Sequence, residues 1–509
     1  MNNLLNPLLI CLSLCFMTAC SEVKYPSQTD QETKVNDDEN SSDEQTNNFN
    51  AGCEELVSND AINWRESALQ TDQEIVACLS ESLGEPVGYG EDTTGGYNSN
   101  GGSKLIVITK DKPEEQILSA ISSPEHNWIV FDKKDFADET SIMMYRPYCS
   151  GSLASSLGVD ESTCRDPYAW CSLKGVSNSD CLSRFFNTEL NNSNLPVGNY
   201  MIDSNTTIDG RGAKVKFVFN GFKIGSDSSG ISTHISDNII ITNNYFVGAG
   251  HTEDHALDPD MIRSTGGSHH IWIHQNTFDT TGDSAFDVKV GAHDITVSFN
   301  KLINVKRAAL HGSSDSRTIN QQITSTLLNN LFVTSDEYYA ANSFNTMRRV
   351  PLLRRGQTHL INNVFYGYRK DIMSIRVGGR VAVDANLFMN PTINDKGDEL
   401  ADWTNNILGD VVEEGHIQVS DSVVFESDSS CRPNGSSSSV DILVGTAPYM
   451  YGDYSTESKL ALDVNKLPAG EALRDYVLAT AGKDGLTPWL SEYTVGFDEI
   501  IAAAPTTCQ

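Results

Sequence analysis

From about residue 200 onward, short β-branched runs recur, each followed by an asparagine and, two positions later, a bulky apolar residue. The copies are Ile241-Thr242-Asn243-Asn244-Tyr245-Phe246, Ile273-His274-Gln275-Asn276-Thr277-Phe278 and Val297-Ser298-Phe299-Asn300-Lys301-Leu302. Leu328-Asn329-Asn330-Leu331-Phe332, Ile361-Asn362-Asn363-Val364-Phe365 and Asp384-Ala385-Asn386-Leu387-Phe388 follow. From Asn244 to Asn386 the key asparagines are 32, 24, 30, 33 and 23 residues apart. A minimum near 23 with variable excess predicts a coil of three short strands whose turns accept insertions. In such a solenoid the Asn side chains stack at a tight turn that tolerates left-handed backbone, while Phe and Leu fill the interior. Hairpin signals between strand pairs are scarce, which disfavours a sandwich or a propeller. The expected fold is all-β, a right-handed parallel β-helix.

An open β-helix end exposes unpaired strand edges and needs a cover. Pro113-Glu114-Glu115-Gln116-Ile117-Leu118-Ser119-Ala120-Ile121 starts with proline and acids and spaces its apolar residues as a helix does. It precedes the apolar strand Trp128-Ile129-Val130-Phe131 and is expected to be the N-terminal cap. Residues 51–509 then form one β-helix domain, with a Cys-rich insertion at about 143–195 and irregular segments at 395–509 wrapping the outside.

Residues 1–20 read as a secretory signal. The apolar run Leu8 to Phe16 ends in Met17-Thr18-Ala19-Cys20, which resembles the lipobox of bacterial lipoproteins and makes Cys20 the expected lipid-bearing residue. Residues 21–50 carry eight acids and two bases with few apolar anchors, an acidic disordered tether. These features place the chain outside the cytoplasm, anchored by lipid to a bacterial outer membrane and facing the periplasm or the cell surface. Of eleven cysteines, eight lie beyond Cys20, an even number with no CxxC pair, so disulfides are expected. Proximity in sequence suggests Cys53–Cys78, pairing within Cys149, Cys164, Cys171 and Cys181, and Cys431–Cys508.

Charge first narrows the field and then misleads. The formal net charge of −32 argues against nucleic acid or an anionic membrane surface as the main partner, and at first sight against a polyanionic sugar. Yet residues 341–380 hold seven Arg and one Lys against the single acid Asp371, a local +7. Ahead of this stretch come Asp258-Pro259-Asp260, Asp283-Ser284-Ala285-Phe286-Asp287 and Lys306-Arg307. Carboxylates on successive coils lie about 4.8 Å apart and could converge on one hard cation, for which oxygen ligands favour Ca2+. Solvated turn residues are the bland alternative for the acids, and surface arginines for Arg349 and Arg354. His251, His255, His269 and His270 read as turn or cleft contacts rather than metal ligands, because the surroundings read as loop.

From Gly84 to Pro391 the chain resembles the pectate lyases of polysaccharide lyase family one. The residues that carry the resemblance are Gly88-Tyr89-Gly90, Thr94-Gly95-Gly96, Val107-Ile108-Thr109 and Asn205-Thr206-Thr207-Ile208-Asp209-Gly210. Ser284 to Lys289, Thr296-Val297-Ser298 and Leu310-His311-Gly312-Ser313-Ser314 follow in order, then Arg349-Val350-Pro351-Leu352-Leu353-Arg354, His359 and Asn362-Asn363. The resemblance implies that Asp258, Asp260, Asp283 and Asp287 hold Ca2+, that Arg349 is the catalytic base and that Arg354 binds a substrate carboxylate. It implies Arg307, Lys289 and Arg376 as further substrate contacts. Two positions depart from the family: Arg307 stands where it has lysine, and Trp272-Ile273-His274-Gln275 where it has Trp-x-Asp-His.

The implied activity is cleavage of polygalacturonate by calcium-dependent β-elimination, by a monomer that binds pectate or pectin and no nucleic acid. A lyase for methyl-esterified pectin would need no acidic calcium site, and a non-catalytic pectin-binding lipoprotein would need no base. A β-helix glycosidase would need carboxylates flanking the scissile bond and would give a saturated product.

Overall fold

The computed structural model describes residues 52–144, 151–189, 199–219, 221–248, 260–281, 283–305, 307–335, 347–368, 372–391 and 406–508. Its strands stack into three parallel ladders, the right-handed parallel β-helix expected from the repeat. One ladder begins with Lys104–Ile108 and Asn127–Phe131 and continues through Asp237–Thr242, His269–His274 and Ile295–Ser298 to Arg380–Asp384. The second runs from Thr140–Ile142 through Tyr245–Val247 and Leu331–Val333 to Leu387–Pro391. Strand His416–Ser427 is long enough to pair with the last strand of both. The third ladder orders Tyr200–Ile202, Phe222–Ile224, Ile262–Ser264, Phe286–Val288, Leu310–His311, Leu352–Arg354, Met373–Arg376 and Leu408–Val411.

The repeat asparagines form a continuous hydrogen-bonded stack. The backbone N–H groups of Asn244, Asn276, Asn300, Asn330 and Asn363 each donate to the side-chain oxygen of the next asparagine at 2.8–3.0 Å. Asn386 closes the stack by donating to Ser422 Oγ at 3.0 Å. The left-handed residue of each turn is the one before the stacked asparagine: Asn243, Gln275, Phe299, Asn329, Asn362 and Ala385 have φ of 47–55°. The stacked asparagine instead satisfies buried backbone groups. Asn330 donates to Val297 O and accepts from the Asn300 N–H, both at 2.9 Å. Truncating Asn330 to alanine orphans these two groups at about 1–3 kcal/mol each, so a loss of about 2–6 kcal/mol is expected in urea unfolding. A loss within about 1 kcal/mol of zero would show that packing alone sets the turn.

Inside the coil the apolar partners stack as well. Phe246 lies over Phe278 at 5.2 Å, and Phe365 lies between Phe332 and Phe388 at 4.6 and 4.7 Å. The helix Pro113–Ile121 packs Ile117, Ala120 and Ile121 against the strands of Ile108, Ile129 and Ile202, so it covers the first coil. Within the Cys-rich insertion, short helices enclose a small core of their own around Leu153, Trp170 and Phe185. Residues expected to wrap as irregular segments contain an antiparallel hairpin, His416–Ser427 with Pro433–Val444, and the helices Thr456–Asn465, Glu471–Thr480 and Phe497–Ala502. Helix Glu471–Thr480 lays Leu473, Val477 and Leu478 on the outer residues Leu331, Val333, Val364 and Leu387. Cys53–Cys78, Cys171–Cys181 and Cys431–Cys508 are disulfides, and Cys164 is disulfide-bonded too. Cys20 and Cys149 lie outside the described residues.

Candidate active site

The third ladder presents a column of charged side chains. In register from coil to coil lie Lys223, Arg263 and Asp287, and two positions along the strands, on the same face, Arg354 pairs with Arg376. Asp260 and Asp283 sit in the turns that lead into Ile262–Ser264 and Phe286–Val288. Ser284, Arg307 and Arg348 are bridged in parallel on three successive coils, which brings Asp283, Arg307 and the Arg348-Arg349 pair to one place.

Burial makes this cluster unusual. Asp260, Asp283, Asp287, Lys289 and Arg307 are between 0 and 6% exposed, a state that charged residues reach only when paired. Lys289 Nζ lies 3.0 Å from Asp260 Oδ2 and 2.6 Å from Asp287 Oδ2, and Arg307 Nη1 lies 2.7 Å from Asp283 Oδ1. The cations that the family resemblance gives to the substrate are thus the partners of the carboxylates it gives to calcium. Backbone N–H groups hold the other oxygens, Ser284 N on Asp260 Oδ1 at 3.3 Å and Leu310 N on Asp287 Oδ1 at 3.0 Å.

Three buried carboxylates on adjacent coils form an oxygen-only donor set of the kind that suits Ca2+. Asp287 Oδ2 is buried without a well-aligned hydrogen bond and has the Lys289 ammonium at 2.6 Å, so a bound cation would take over the compensation that Lys289 now supplies. Asp258, the fourth expected ligand, lies outside the described residues.

Arg349 differs from its neighbours. It is half-buried and left-handed at φ 59°, a conformation that costs about 1–2 kcal/mol for a side-chain-bearing residue. Hydrogen bonds of the ladder hold it there: Ala309 N donates to Arg349 O at 2.7 Å and Val350 N donates to Ile372 O at 2.7 Å. Burial pushes its guanidinium below the usual arginine range, Arg307 and Arg348 add to the effect, and Asp283 and Asp287 oppose it. Among the described residues its side chain makes no ion pair or hydrogen bond. Arg354, by contrast, donates to Asp315 Oδ1 at 2.5 Å and to Gly312 O at 3.0 Å, and Arg376 reaches Asp410 Oδ2 at 2.6 Å.

Arg348, Arg349, Leu352, Ser374, Arg376 and Asp410 line an open cavity of about 390 Å³. Sequence reasoning gave Arg348, Ser374, Asp315 and Asp410 no role. Arg348 stood in the arginine cluster and could have been found there. Asp410 lies beyond the segment that carries the family motifs, and only strand register brings it under Ser374. His269 and His270 stand at the start of a strand in a different ladder, and His251 and His255 lie outside the described residues.

The departure at His274 proves to be a packing solution. Trp272 Nε1 donates to Ser298 Oγ at 2.8 Å, and His274 Nδ1 lies 3.0 Å from the same oxygen. His311 and His359, which belong to the motif set, are also buried and hydrogen-bonded, within reach of Thr358 Oγ1 and Tyr454 Oη respectively.

A family model described as pectate lyase matches residues 193–467, more than half of the chain. Pectate lyase B of Dickeya chrysanthemi is 29% identical over 201 residues, covering 36% of this chain and 49% of that protein. Pectate lyase 1 of Pectobacterium carotovorum is 30% identical over 201 residues with the same coverage. The chain therefore spans about half the length of the curated relatives it matches. Among solved structures, pectate lyase II from Xanthomonas campestris is similar with a TM-score of 0.46 at 22% identity, over 78% of this chain and 98% of that one.

Proposed function

The chain belongs to the pectate lyase family, and on that premise we propose that it cleaves polygalacturonate by β-elimination with Ca2+ as cofactor. The observation that carries the reading is Arg349, a half-buried guanidinium without an ion pair among the described residues, pressed by Arg307 and Arg348 and lining the cavity. In β-elimination a base removes the proton at C5 of a uronate, a C4–C5 double bond forms, and the C4 oxygen leaves and is protonated by solvent. Arg349 is the base, because burial and neighbouring cations disfavour its protonated form. Arg354 and Arg376 lie side by side in register and bind substrate carboxylates by exchanging their present partners Asp315 and Asp410.

Asp260, Asp283 and Asp287, with Asp258, would hold calcium. Bound there, it supplies positive charge that stabilises the enolate-like charge developing beside the substrate carboxylate. Lys289 and Arg307 now compensate these carboxylates. Once the carboxylates are otherwise compensated, both cations are available to the sugar. The secretory signal and Cys20 extend the reading to a lipid-anchored enzyme outside the cytoplasm. No helix among the described residues is long and apolar enough to cross a membrane.

The direct test is absorbance of unsaturated product from pectate. With Ca2+ an ultraviolet-absorbing uronide should accumulate, and a chelator should slow it by about 100-fold or more, the equivalent of ~3 kcal/mol of metal stabilisation. Saturated product would indicate a glycosidase, and full activity in chelator would indicate a lyase for esterified pectin.

A further inference from the structure

Away from the cleft, strand register assembles a second cluster from residues that the lyase reading does not use. Asp237 and His269 are register partners on adjacent coils, and His270 follows His269 in the chain. On the next coil His293 N donates to Ser268 O at 3.0 Å, and the His293 ring stacks on His269 at 4.9 Å with 8° between planes. His270 and Asp294 both occupy the left-handed turn position, with φ of 48° and 52°. That geometry turns two consecutive side chains of each coil toward the same patch.

We propose that Asp237, His269 and His270 form a binding site for a borderline divalent transition metal such as Zn2+. One ligand atom from each of the three lies within 4.8 Å of the others. Asp237 Oδ1 is 2.7 Å from His270 Nδ1 and 3.3 Å from His269 Nε2. Ligand atoms around a tetrahedral zinc with bonds of about 2.0–2.1 Å stand about 3.4 Å apart, so small side-chain shifts admit the ion. Two imidazoles and one carboxylate leave a position open to water, and mixed N,O donors select Zn2+ over Ca2+. All three side chains are partly exposed, at 28–43% of their surface, which gives the ion a path in.

The local charge points the same way. Each described carboxylate of the cleft has a Lys or Arg partner, whereas Asp237 and Asp294 meet only imidazoles as ion-pair partners among the described residues. Asp294 accepts from Thr324 Oγ1 at 3.0 Å and lies 2.8 Å from His293 Nδ1, adding negative charge behind the stacked rings. A metal here joins the coil of Asp237 to the coil of His269 and His270.

The test uses the full chain, stripped with chelator and returned to saturating Ca2+ so that the oxygen-only cleft is occupied. Titration with Zn2+ should then show one further site, and Co2+ in its place should give the visible d–d bands of an imidazole-ligated ion. Outer-sphere partners alone change metal affinity by about 10–100-fold, so His269→Ala and His270→Ala should each weaken Zn2+ binding by at least about tenfold and erase the Co2+ bands. Both variants should cleave pectate in Ca2+ at the wild-type rate, which checks that they fold. Failure of the wild type to bind Zn2+ in saturating Ca2+ overturns the proposal. So does wild-type binding by a folded His269→Ala, His270→Ala double variant, since the ion would then sit elsewhere.

Discussion

Replacing Arg349 by lysine is expected to lower kcat on pectate by about 10²–10⁴-fold, the share usually carried by a positioned base, with little change in KM. Lysine keeps the positive charge and some of the reach but loses the planar guanidinium set by the left-handed backbone at φ 59°. If Arg349 only attracted the polyanion, lysine would serve nearly as well and the loss would appear in KM. Replacing Arg354 by alanine provides the contrast. Its guanidinium is bound to Asp315 and Gly312 at the edge of the column, and its loss should raise KM more than it lowers kcat. The base must be deprotonated to act, so kcat should rise with pH on the alkaline side in the wild type. An Arg349→Lys enzyme within about tenfold of wild-type kcat would remove Arg349 from the chemistry.

Stability should fall steeply as the pH drops below about 6.5, before the carboxylates begin to titrate. His274, His311 and His359 are fully buried, and burial pushes them from the ordinary 6.5 down to about 3, about 4 and about 3. Their folded-state values lie below the unfolded one, so the unfolded chain takes up protons first as the medium acidifies. Their contribution is complete above about 6.5 and is lost as pH falls towards the folded values. Each histidine approaches a slope of about 1.4 kcal/mol per pH unit, and three together give about 4 kcal/mol per unit. His126, also lowered by burial, adds to the same trend. Urea midpoints measured between about pH 8 and 5 would check this, with a His311→Asn variant expected to lose about one third of the slope. A flat profile over that range would mean that the three imidazoles titrate as if in water.

Much of the architecture was legible because a solenoid repeats its solution. One Asn-x-Phe says little, but Asn244, Asn276, Asn300, Asn330, Asn363 and Asn386 in order imply a stack, and the stack is present. The sequence placed the left-handed residue less well, because the strain is taken one position earlier by residues as different as Phe299 and Ala385. The carboxylates and arginines of the site were legible as clusters along the chain. Their mutual pairing was not: Lys289 finds Asp260 across 29 positions only because two coils are in register. The same cause hid Asp410 beneath Arg376 and Asp237 beside His269 and His270, since contacts between coils leave no local sign in the chain. The regular C-terminal hairpin and helices were missed because their apolar faces match the outside of the coil rather than any repeat within the segment itself.

The cysteines divide the molecule mechanically. The chain has no cysteine between Cys181 and Cys431, so every coil that carries the proposed chemistry is free of covalent cross-links. The bridges lie in the N-terminal cover, the inserted helices and the C-terminal strap. Under a reductant, then, these covers are expected to loosen before the coils that carry the proposed site. Reduction is therefore expected to shorten the lifetime of the fold without touching the side chains of the proposed site.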